Sequence, residues 1–455
     1  MKKRKFKLFD AVLATVCIIL VAESVAPTAS IGNSQFFWWA LLLVAFMLPY
    51  GLISAELGST YPTTGGMYDW VKRAFGGKWA ARVAWYYWIN FPLWIASLAT
   101  VVTDVLLSVF DINLSIFWIL FIQLAYTWLV AILGTLRISE SKWLVNIGAL
   151  FKVLFMTSLG LLGIYVAINH GVANEYTLKS LFPSFDLVGV GFISVIIFNF
   201  MGFEVISTFA EDLENPKKEI PKAVILGGIL IAIFYLLPSF GIGVAIPTSD
   251  IPTSTGITES FAILLDKIGV SQGMSNAIII GIAIMFIYTL IANIVSWSFG
   301  VNSVARHSAL NGSLPKIFAK TNKNDVPYMA SIINGVVASA ILILGMYLPE
   351  QYVDVFWTFF AFSLVTLLLS YLPLFPAFLK LRKIDPNKER PYQVSGGNFK
   401  LKLMTYVPFV LLALGIFFTL FPEFNSAMWE YQWPLLVGVG ASVVIGEILV
   451  FFTKK

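Results

Sequence analysis

Long apolar segments, separated by short polar or Gly/Pro-containing breaks, follow one another along almost the whole chain. A helix that crosses a bilayer needs about 20 consecutive apolar residues. Segments of that kind lie at about residues 8–31, 37–57, 79–109, 115–134, 140–168, 186–209, 222–246, 275–305, 329–348, 352–380, 403–421 and 434–453. The pattern therefore predicts an all-α membrane protein with twelve transmembrane helices.

The composition excludes several other classes of protein. The 455 residues are 58% hydrophobic and 12% charged, whereas about 25% of the residues of a soluble protein are charged. A soluble globular domain, a disordered chain, a coiled coil and a nucleic-acid-binding domain do not fit these values. Cys17 is the single cysteine, and His170 and His307 lie in separate connecting segments. We therefore expect no disulfide, no metal site and no cofactor.

The distribution of Lys and Arg predicts the orientation. Short cytoplasmic loops are enriched in these residues. If both termini are cytoplasmic, all but three of the 30 cationic residues lie on the cytoplasmic side, the exceptions being Lys152, Lys179 and Lys267. The basic N-terminus resembles a signal peptide but lacks a small-residue cleavage site, so we interpret it as a retained first span. We expect a multi-pass plasma-membrane protein, acting as a monomer or homodimer.

Two predicted spans contain polar or helix-breaking residues at mid-membrane depth, at residues 21–30 and 198–204. They open two blocks of about five helices each. Interrupted helices at corresponding positions of two halves are typical of transporters built from inverted repeats. The alternative is that Pro27 merely kinks the first span and Gly202 merely packs against a neighbour.

Three charged residues, Glu23, Lys152 and Glu204, fall inside predicted spans. Each costs roughly 2.5–3.5 kcal/mol on insertion scales, so we expect them to face the protein interior and to mark a substrate or ion path. The alternative for Lys152 is a structural role, with its ammonium hydrogen-bonded to the carbonyls of a broken helix. Paired carboxylates can also perform acid–base chemistry, but no nucleophile–base set or metal cluster accompanies them, so we predict no enzyme. Nothing in the sequence resembles a repeated filter, and two broken helices suit alternating access better, so we predict no channel either.

Four separated motifs occur in one order along the chain. They are residues 55–62 with 65–68 and 71–76; residues 202–204 with Glu211, 215–216 and 220–221; residues 314–320; and residues 390–392 with 396–397. On these motifs the sequence resembles the amino acid–polyamine–organocation transporter superfamily. The resemblance implies a five-plus-five inverted-repeat (LeuT-like) core plus two helices. A cytoplasmic tail (1–7) would precede the repeats (8–168 and 186–380) and the two added helices (403–453). Substrate would bind between helices one, three, six, eight and ten, with alternating access.

The resemblance also implies roles for individual residues. Phe198 matches an aromatic gate, and Glu204 matches a sixth-helix glutamate implicated in proton sensing. Trp297 matches an eighth-helix Trp that packs on the substrate. Lys152 matches the cation that stands in the sodium position of sodium-independent relatives. Asn90, in the aromatic third helix, is a further candidate for substrate contact.

The first helix departs from the pattern of many relatives. Where they have a Gly-Ser-Gly-type stretch that holds a substrate carboxylate, this chain has Val21-Ala22-Glu23-Ser24. Glu23 would repel a carboxylate and favour an amine. The sequence looks most like the glutamate/GABA-type exchanger group, which includes agmatine/putrescine and tyrosine/tyramine exchangers. We predict agmatine/putrescine antiport, with Glu23, Ser24, Asn90, Phe198, Glu204 and Trp297 as substrate-binding residues. Tyrosine/tyramine exchange and proton-coupled uptake of neutral amino acids are the alternatives.

Overall fold

A computed structural model describes residues 6–183, 187–251, 256–347, 355–422 and 426–453. The basic residues at 2–5 and 454–455 lie outside the described residues. The first half of the chain forms α1 (Leu8–Ile19), α2 (Val25–Ala29), α3 (Gln35–Leu42), α4 (Leu48–Thr60), α5 (Met67–Phe75), α6 (Gly77–Phe110), α7 (Ile116–Leu133), α8 (Ile138–His170) and α9 (Leu178–Leu181).

The second half begins with another interrupted span. It forms α10 (Leu187–Phe198), α11 (Val205–Thr208), α12 (Pro216–Ala245), α13 (Gly256–Lys267), α14 (Gln272–Leu310), α15 (Tyr328–Gly345), α16 (Val355–Tyr371), α17 (Leu374–Ile384), α18 (Asn398–Leu420) and α19 (Ser426–Phe452). A π-helical turn, Leu43–Met47, joins α3 and α4 into one span. The predicted all-helical membrane fold is confirmed.

In the described part of the chain, eleven helices are long and apolar enough to cross a membrane. The predicted span at about 186–209 is not among them because it divides into α10, of 12 residues, and α11, of four. The first predicted span also divides, into α1, a short 3₁₀ turn at Ala22–Ser24 and α2. Both interruptions fall where the sequence predicts them.

The buried residues form a core that surrounds these interruptions. In the most apolar 18 residues of the first span, 83% of the residues are buried, whereas the corresponding share is 22% for α7 and 28% for α18. A helix exposed on its apolar faces suits contact with lipid, and a helix buried on all sides suits the centre of a bundle. The interrupted first span therefore lies at the centre of the molecule.

Candidate functional site

The break in the first span is stabilised by a buried ammonium group. Where α1 ends, its last carbonyl groups have no partners within the helix. The Lys152 Nζ atom, on α8, donates to the carbonyl oxygen of Cys17 at 2.8 Å and to that of Leu20. A cation at the carboxyl end of a helix also interacts favourably with the helix dipole. These contacts therefore support the interpretation that Lys152 has a structural role, with its ammonium hydrogen-bonded to the carbonyls of a broken helix.

Three other side chains complete the cap of α1. Asn293 Nδ2 donates to the carbonyl oxygens of Cys17 and Ile18, both at 2.9 Å. Trp297 Nε1 donates to the Ile18 carbonyl at 2.9 Å. The Tyr235 hydroxyl donates to the Ile19 carbonyl at 2.8 Å and accepts from the backbone N–H of Val21 at 2.7 Å. These long-range contacts hold the unwound backbone in one conformation.

The break in the sixth span lies directly against the first. Gly202 has φ +118°, and a Cβ atom there would lie 2.9 Å from Ile18 Cγ2 and 3.0 Å from Trp297 Cζ2. Glycine is required at this position because both the backbone conformation and the space exclude a side chain. The Ser24 hydroxyl lies 2.7 Å from Asn199 Oδ1. This hydrogen bond of Ser24 connects the break in the first span to the break in the sixth span.

Three tyrosine hydroxyls surround the buried Glu204 carboxyl group. Tyr87 donates to Oε1 at 2.8 Å, Tyr371 donates to Oε1 at 2.5 Å, and Tyr50 donates to Oε2. The Tyr50 hydroxyl also accepts from the Gly202 N–H at 3.1 Å. Phenol groups can supply the hydrogen bonds that a desolvated carboxylate needs. Glu204 therefore joins helices α4, α6 and α16 to the second break.

The Glu23 carboxyl group has a different environment. Its residue is 9% exposed, and neither carboxylate oxygen has a hydrogen-bond partner among the residues that the structure describes. It interacts electrostatically with the ammonium of Lys152. A buried carboxylate without hydrogen bonds is costly unless a cation compensates it. Glu23 therefore differs from Glu204, since no donor among the described residues satisfies its carboxylate oxygens.

A small central cavity of about 10 Å³ lies between the two breaks. It is lined by Val21, Asn90, Phe91, Trp94, Phe198, Met201, Trp297 and Leu367. The structure thus brings three of the predicted site residues, Asn90, Phe198 and Trp297, to one cavity. Glu23, Ser24 and Glu204 are buried near the breaks but are not among its lining residues. In this conformation the cavity is too small for an amino acid or a diamine, since about 10–15 Å³ of such volume is needed to hold a single water molecule.

Aromatic rings cover this cavity. The Phe198 ring packs edge-on against Trp94 and Phe360, with centroid distances of 5.1 and 5.0 Å. Asn90 Nδ2 donates to the Tyr87 carbonyl at 2.5 Å. The arrangement of Phe198 suits the predicted gate, because this ring cluster must separate before a ligand can pass it.

Sequence reasoning missed the residues that hold Glu204 and the first break. Tyr50, Tyr235 and Tyr371 lie in apolar spans, and all three are fully buried. A Tyr hydroxyl at that depth needs a polar partner. Their positions inside predicted helices were thus a usable signal, but the sequence does not indicate the partner.

The second-helix motif forms an ion cluster at one end of the bundle. The buried Glu56 carboxylate accepts from both Arg382 and Arg390, with Arg382 Nε at 2.9 Å and Arg390 Nε at 3.2 Å, and from the Val394 N–H at 2.7 Å. This cluster joins α4 to the end of α17 and to the loop before α18. It explains in physical terms why the motifs at 55–62 and 390–392 occur together.

A second ion pair extends this cluster. Arg73 Nε and Nη2 donate to the two Asp385 oxygens at 2.6 and 2.8 Å, and the Tyr61 hydroxyl donates to Asp385 at 2.7 Å. These hydrogen bonds, that of Arg73 above all, lower the pKa of Asp385 to about 2. Burial and the adjacent carboxylate raise the pKa of Tyr61 to about 12. Both groups therefore keep their paired protonation states throughout the physiological pH range.

The fold and site together define a class of protein. A polytopic helical protein whose two broken helices enclose a cavity at the centre of the bundle has the architecture of an alternating-access membrane transporter. The amino acid permease family model matches residues 6–442. The chain therefore belongs to the amino acid permease family and is a transport protein, not an enzyme.

Known relatives agree with this membership. The chain is 48% identical to the probable agmatine/putrescine antiporter AguD of Lactococcus lactis subsp. lactis (strain IL1403), over 98% of this chain and 95% of that protein. It is 24% identical to the glutamate/gamma-aminobutyrate antiporter of the same strain, over 100% of this chain and 91% of that protein. Among solved structures, the Eremococcus coleocola manganese transporter is similar, with TM-score 0.55 and 14% identity over 98% of this chain and 93% of that chain. The solved structure supports the fold.

Proposed function

We propose that this protein exchanges agmatine for putrescine across the plasma membrane by alternating access. The observation that carries the proposal is the buried Glu23 carboxylate, whose oxygens have no hydrogen-bond partner among the described residues. A ligand with cationic groups and no carboxylate compensates that charge. The similarity to a probable agmatine/putrescine antiporter over nearly the whole chain supports the same substrate pair.

The aromatic lining suits the rest of such a ligand. A guanidinium or ammonium group over a Trp face gains up to about 2 kcal/mol when both groups are desolvated. Trp297, Trp94 and Phe198 all line the central cavity, and the Phe198 ring packs against Trp94. Because agmatine and putrescine both carry two positive charges near neutral pH, exchange of one for the other moves no net charge.

Binding and transport require a second conformation. Since the central cavity measures about 10 Å³, the helices around Phe198 and the two breaks must separate to admit a ligand. The ligand drives exchange because it interacts differently with the two conformations. In this proposal the Lys152 ammonium stabilises the first break in both conformations, and Glu204 accepts hydrogen bonds from its three tyrosines.

Reconstituted exchange tests the substrate assignment. Proteoliposomes preloaded with putrescine should take up radiolabelled agmatine rapidly, and empty proteoliposomes should take up little. Agmatine uptake that does not depend on internal putrescine would refute the exchange mechanism. Tyrosine uptake that depends on internal tyramine, or neutral amino acid uptake that depends on a proton gradient, would establish one of the alternatives instead.

A substitution tests the role of Glu23. Glu23→Gln keeps the size of the side chain and removes its charge, so we expect the apparent affinity for agmatine to fall about 10- to 100-fold. Glu214→Gln removes an exposed carboxylate and is the matched control. An unchanged agmatine affinity in Glu23→Gln would show that another group recognises the amine.

The orientation and assembly state are also proposals. We propose that both termini are cytoplasmic and that the protein acts as a monomer or homodimer. Labelling of single cysteines introduced in the loops from either side of the membrane tests the orientation. Labelling of the connection between α17 and α18 from outside intact cells would contradict it.

A further inference from the structure

A second and larger cavity lies along α14, beyond the central one. Its volume is about 190 Å³, and it is lined by the segments that follow α4, α7 and α11, by the last turns of α14 and by the loop before α15. The first polar residue of α14 on its wall, Asn302, is five positions beyond Trp297. With a rise of 1.5 Å per residue, the two positions are about 7.5 Å apart along the helix. The two cavities share no lining residue, so this cavity is separate from the central cavity.

A hydrogen-bond chain fixes the direction in which the Asn302 amide points. The Trp88 indole, which can only donate, donates to Asn334 Oδ1 at 2.8 Å. The Asn334 amide then donates through Nδ2 to Asn302 Oδ1 at 2.9 Å. Because the chain begins at an obligatory donor, neither amide can be reversed without losing a hydrogen bond. Asn302 must therefore present its Nδ2 donor group elsewhere.

The Asn302 donor has no partner of its own. The residue is 1% exposed, and its Nδ2 atom forms no hydrogen bond with any residue in the described ranges. Arg306 lies one helical turn further on α14 and also lines the cavity. Its buried Nε atom likewise has no hydrogen-bond partner in the described part of the chain. Two buried donors, four residues apart on one helix face, can share one acceptor, which either a water molecule or a ligand atom can supply.

The charges around the cavity restrict the kind of acceptor. Arg137 and Arg306 contribute two cations to its wall, and Glu211, Asp212 and Asp325 contribute three carboxylates. These carboxylates would repel a simple anion. A ligand that has both a carboxylate and a cationic group complements the cations and the carboxylates of the wall. Its carboxylate would accept hydrogen bonds from the two donors on α14.

We propose that this cavity is a second binding site, which takes an amino acid with a cationic side chain. The ligand carboxylate accepts from Asn302 Nδ2 and from the Arg306 guanidinium, whose fork geometry matches a carboxylate. The cationic end faces Glu211 and Asp325. A ligand here contacts both α14 and the segment after α11.

Direct binding of L-lysine tests the site. The full-length protein in lipid nanodiscs is titrated with L-lysine by calorimetry, and cadaverine, the same molecule without its carboxylate, is the comparison ligand. We expect Asn302→Asp and Arg306→Gln each to weaken L-lysine binding at least about tenfold, since each removes a hydrogen bond to a charged group. Asn302→Asp keeps the acceptor for Asn334 and so preserves the chain. Lys316→Gln, an exposed cation outside the cavity, is the charge control.

The outcomes decide the proposal independently of the substrate pair. Loss of L-lysine binding in both variants with unchanged thermal midpoints supports the site, whether or not agmatine is transported. Absence of L-lysine binding to the unaltered protein refutes it. L-lysine binding that survives both substitutions but is lost in Trp297→Ala belongs to the central cavity and also refutes it.

Discussion

The buried Lys152 ammonium is expected to be a principal source of stability at the first break. Lys152→Met keeps an unbranched side chain that is one heavy atom shorter, and it removes both hydrogen bonds to the carbonyls of Cys17 and Leu20. Each hydrogen bond to a charged group contributes about 1.5–3 kcal/mol. The substitution also removes the electrostatic interaction between the ammonium and the Glu23 carboxyl group.

Relief of the cost of burying the ammonium offsets part of this loss. We therefore expect a net decrease of about 3 kcal/mol in the free energy of unfolding. With an unfolding entropy of about 2.1 cal/mol/K per residue, that decrease corresponds to a thermal midpoint lower by about 3 °C for a chain of this length. The midpoint of purified protein in detergent, followed by intrinsic tryptophan fluorescence, measures the effect.

A matched control separates this effect from a general effect of charge removal. Lys179→Met removes an exposed ammonium in α9 and should leave the midpoint unchanged. If Lys152→Met is as stable as the unaltered protein, the ammonium does not stabilise the broken helix. In that case the carbonyls of α1 are satisfied by Asn293, Trp297 and Tyr235, and our account of Lys152 is wrong.

Three further predictions follow from other contacts. Gly202→Ala should abolish exchange, because a positive φ costs about 1–2 kcal/mol and the new methyl group would overlap its neighbours. Gly269 also has a positive φ but has open space around it, so Gly269→Ala should retain activity. Equal losses of exchange in the two variants would refute the steric argument. Glu56→Gln should destabilise the protein by about 3 kcal/mol because two partly buried arginines lose their buried counter-charge, and an unchanged thermal midpoint would contradict this. The pKa of Asp385 is lowered to about 2 by Arg73, so its stabilisation persists above about pH 4 and declines as the pH falls towards 2. The difference in midpoint between Asp385→Asn and the unaltered protein should therefore be constant from about pH 5 to 8, and a change within that range would contradict the assignment.

The positions of the helix breaks could be predicted from local sequence. Gly202 and the polar residues at 21–24 stand inside apolar segments, where a bilayer tolerates unwound backbone only next to a cavity. The structure has breaks at both positions. The depth of Lys152 in its span likewise indicated an interior partner, and the structure supplies one in the carbonyls of α1.

The partners of the acidic residues could not be predicted in the same way. Both Glu23 and Glu204 are carboxylates inside interrupted helices, and from the sequence we predict the same role for both, the binding of a cationic group. In the structure Glu204 accepts from three tyrosines that are 117 to 167 positions away in the chain. Glu23 has no such donors among the described residues. The rotation of each helix about its axis, which packing decides, makes this difference.

The sequence by itself determined the class of this protein, because insertion into a bilayer depends on the summed hydropathy of consecutive residues. It also determined the breaks, since they arise from the residues at those positions. Only the tertiary structure decided which polar groups are satisfied by the protein and which are left for a ligand. Those contacts join distant helices, and a shift of one residue in helix rotation moves a side chain by about 100° around its axis.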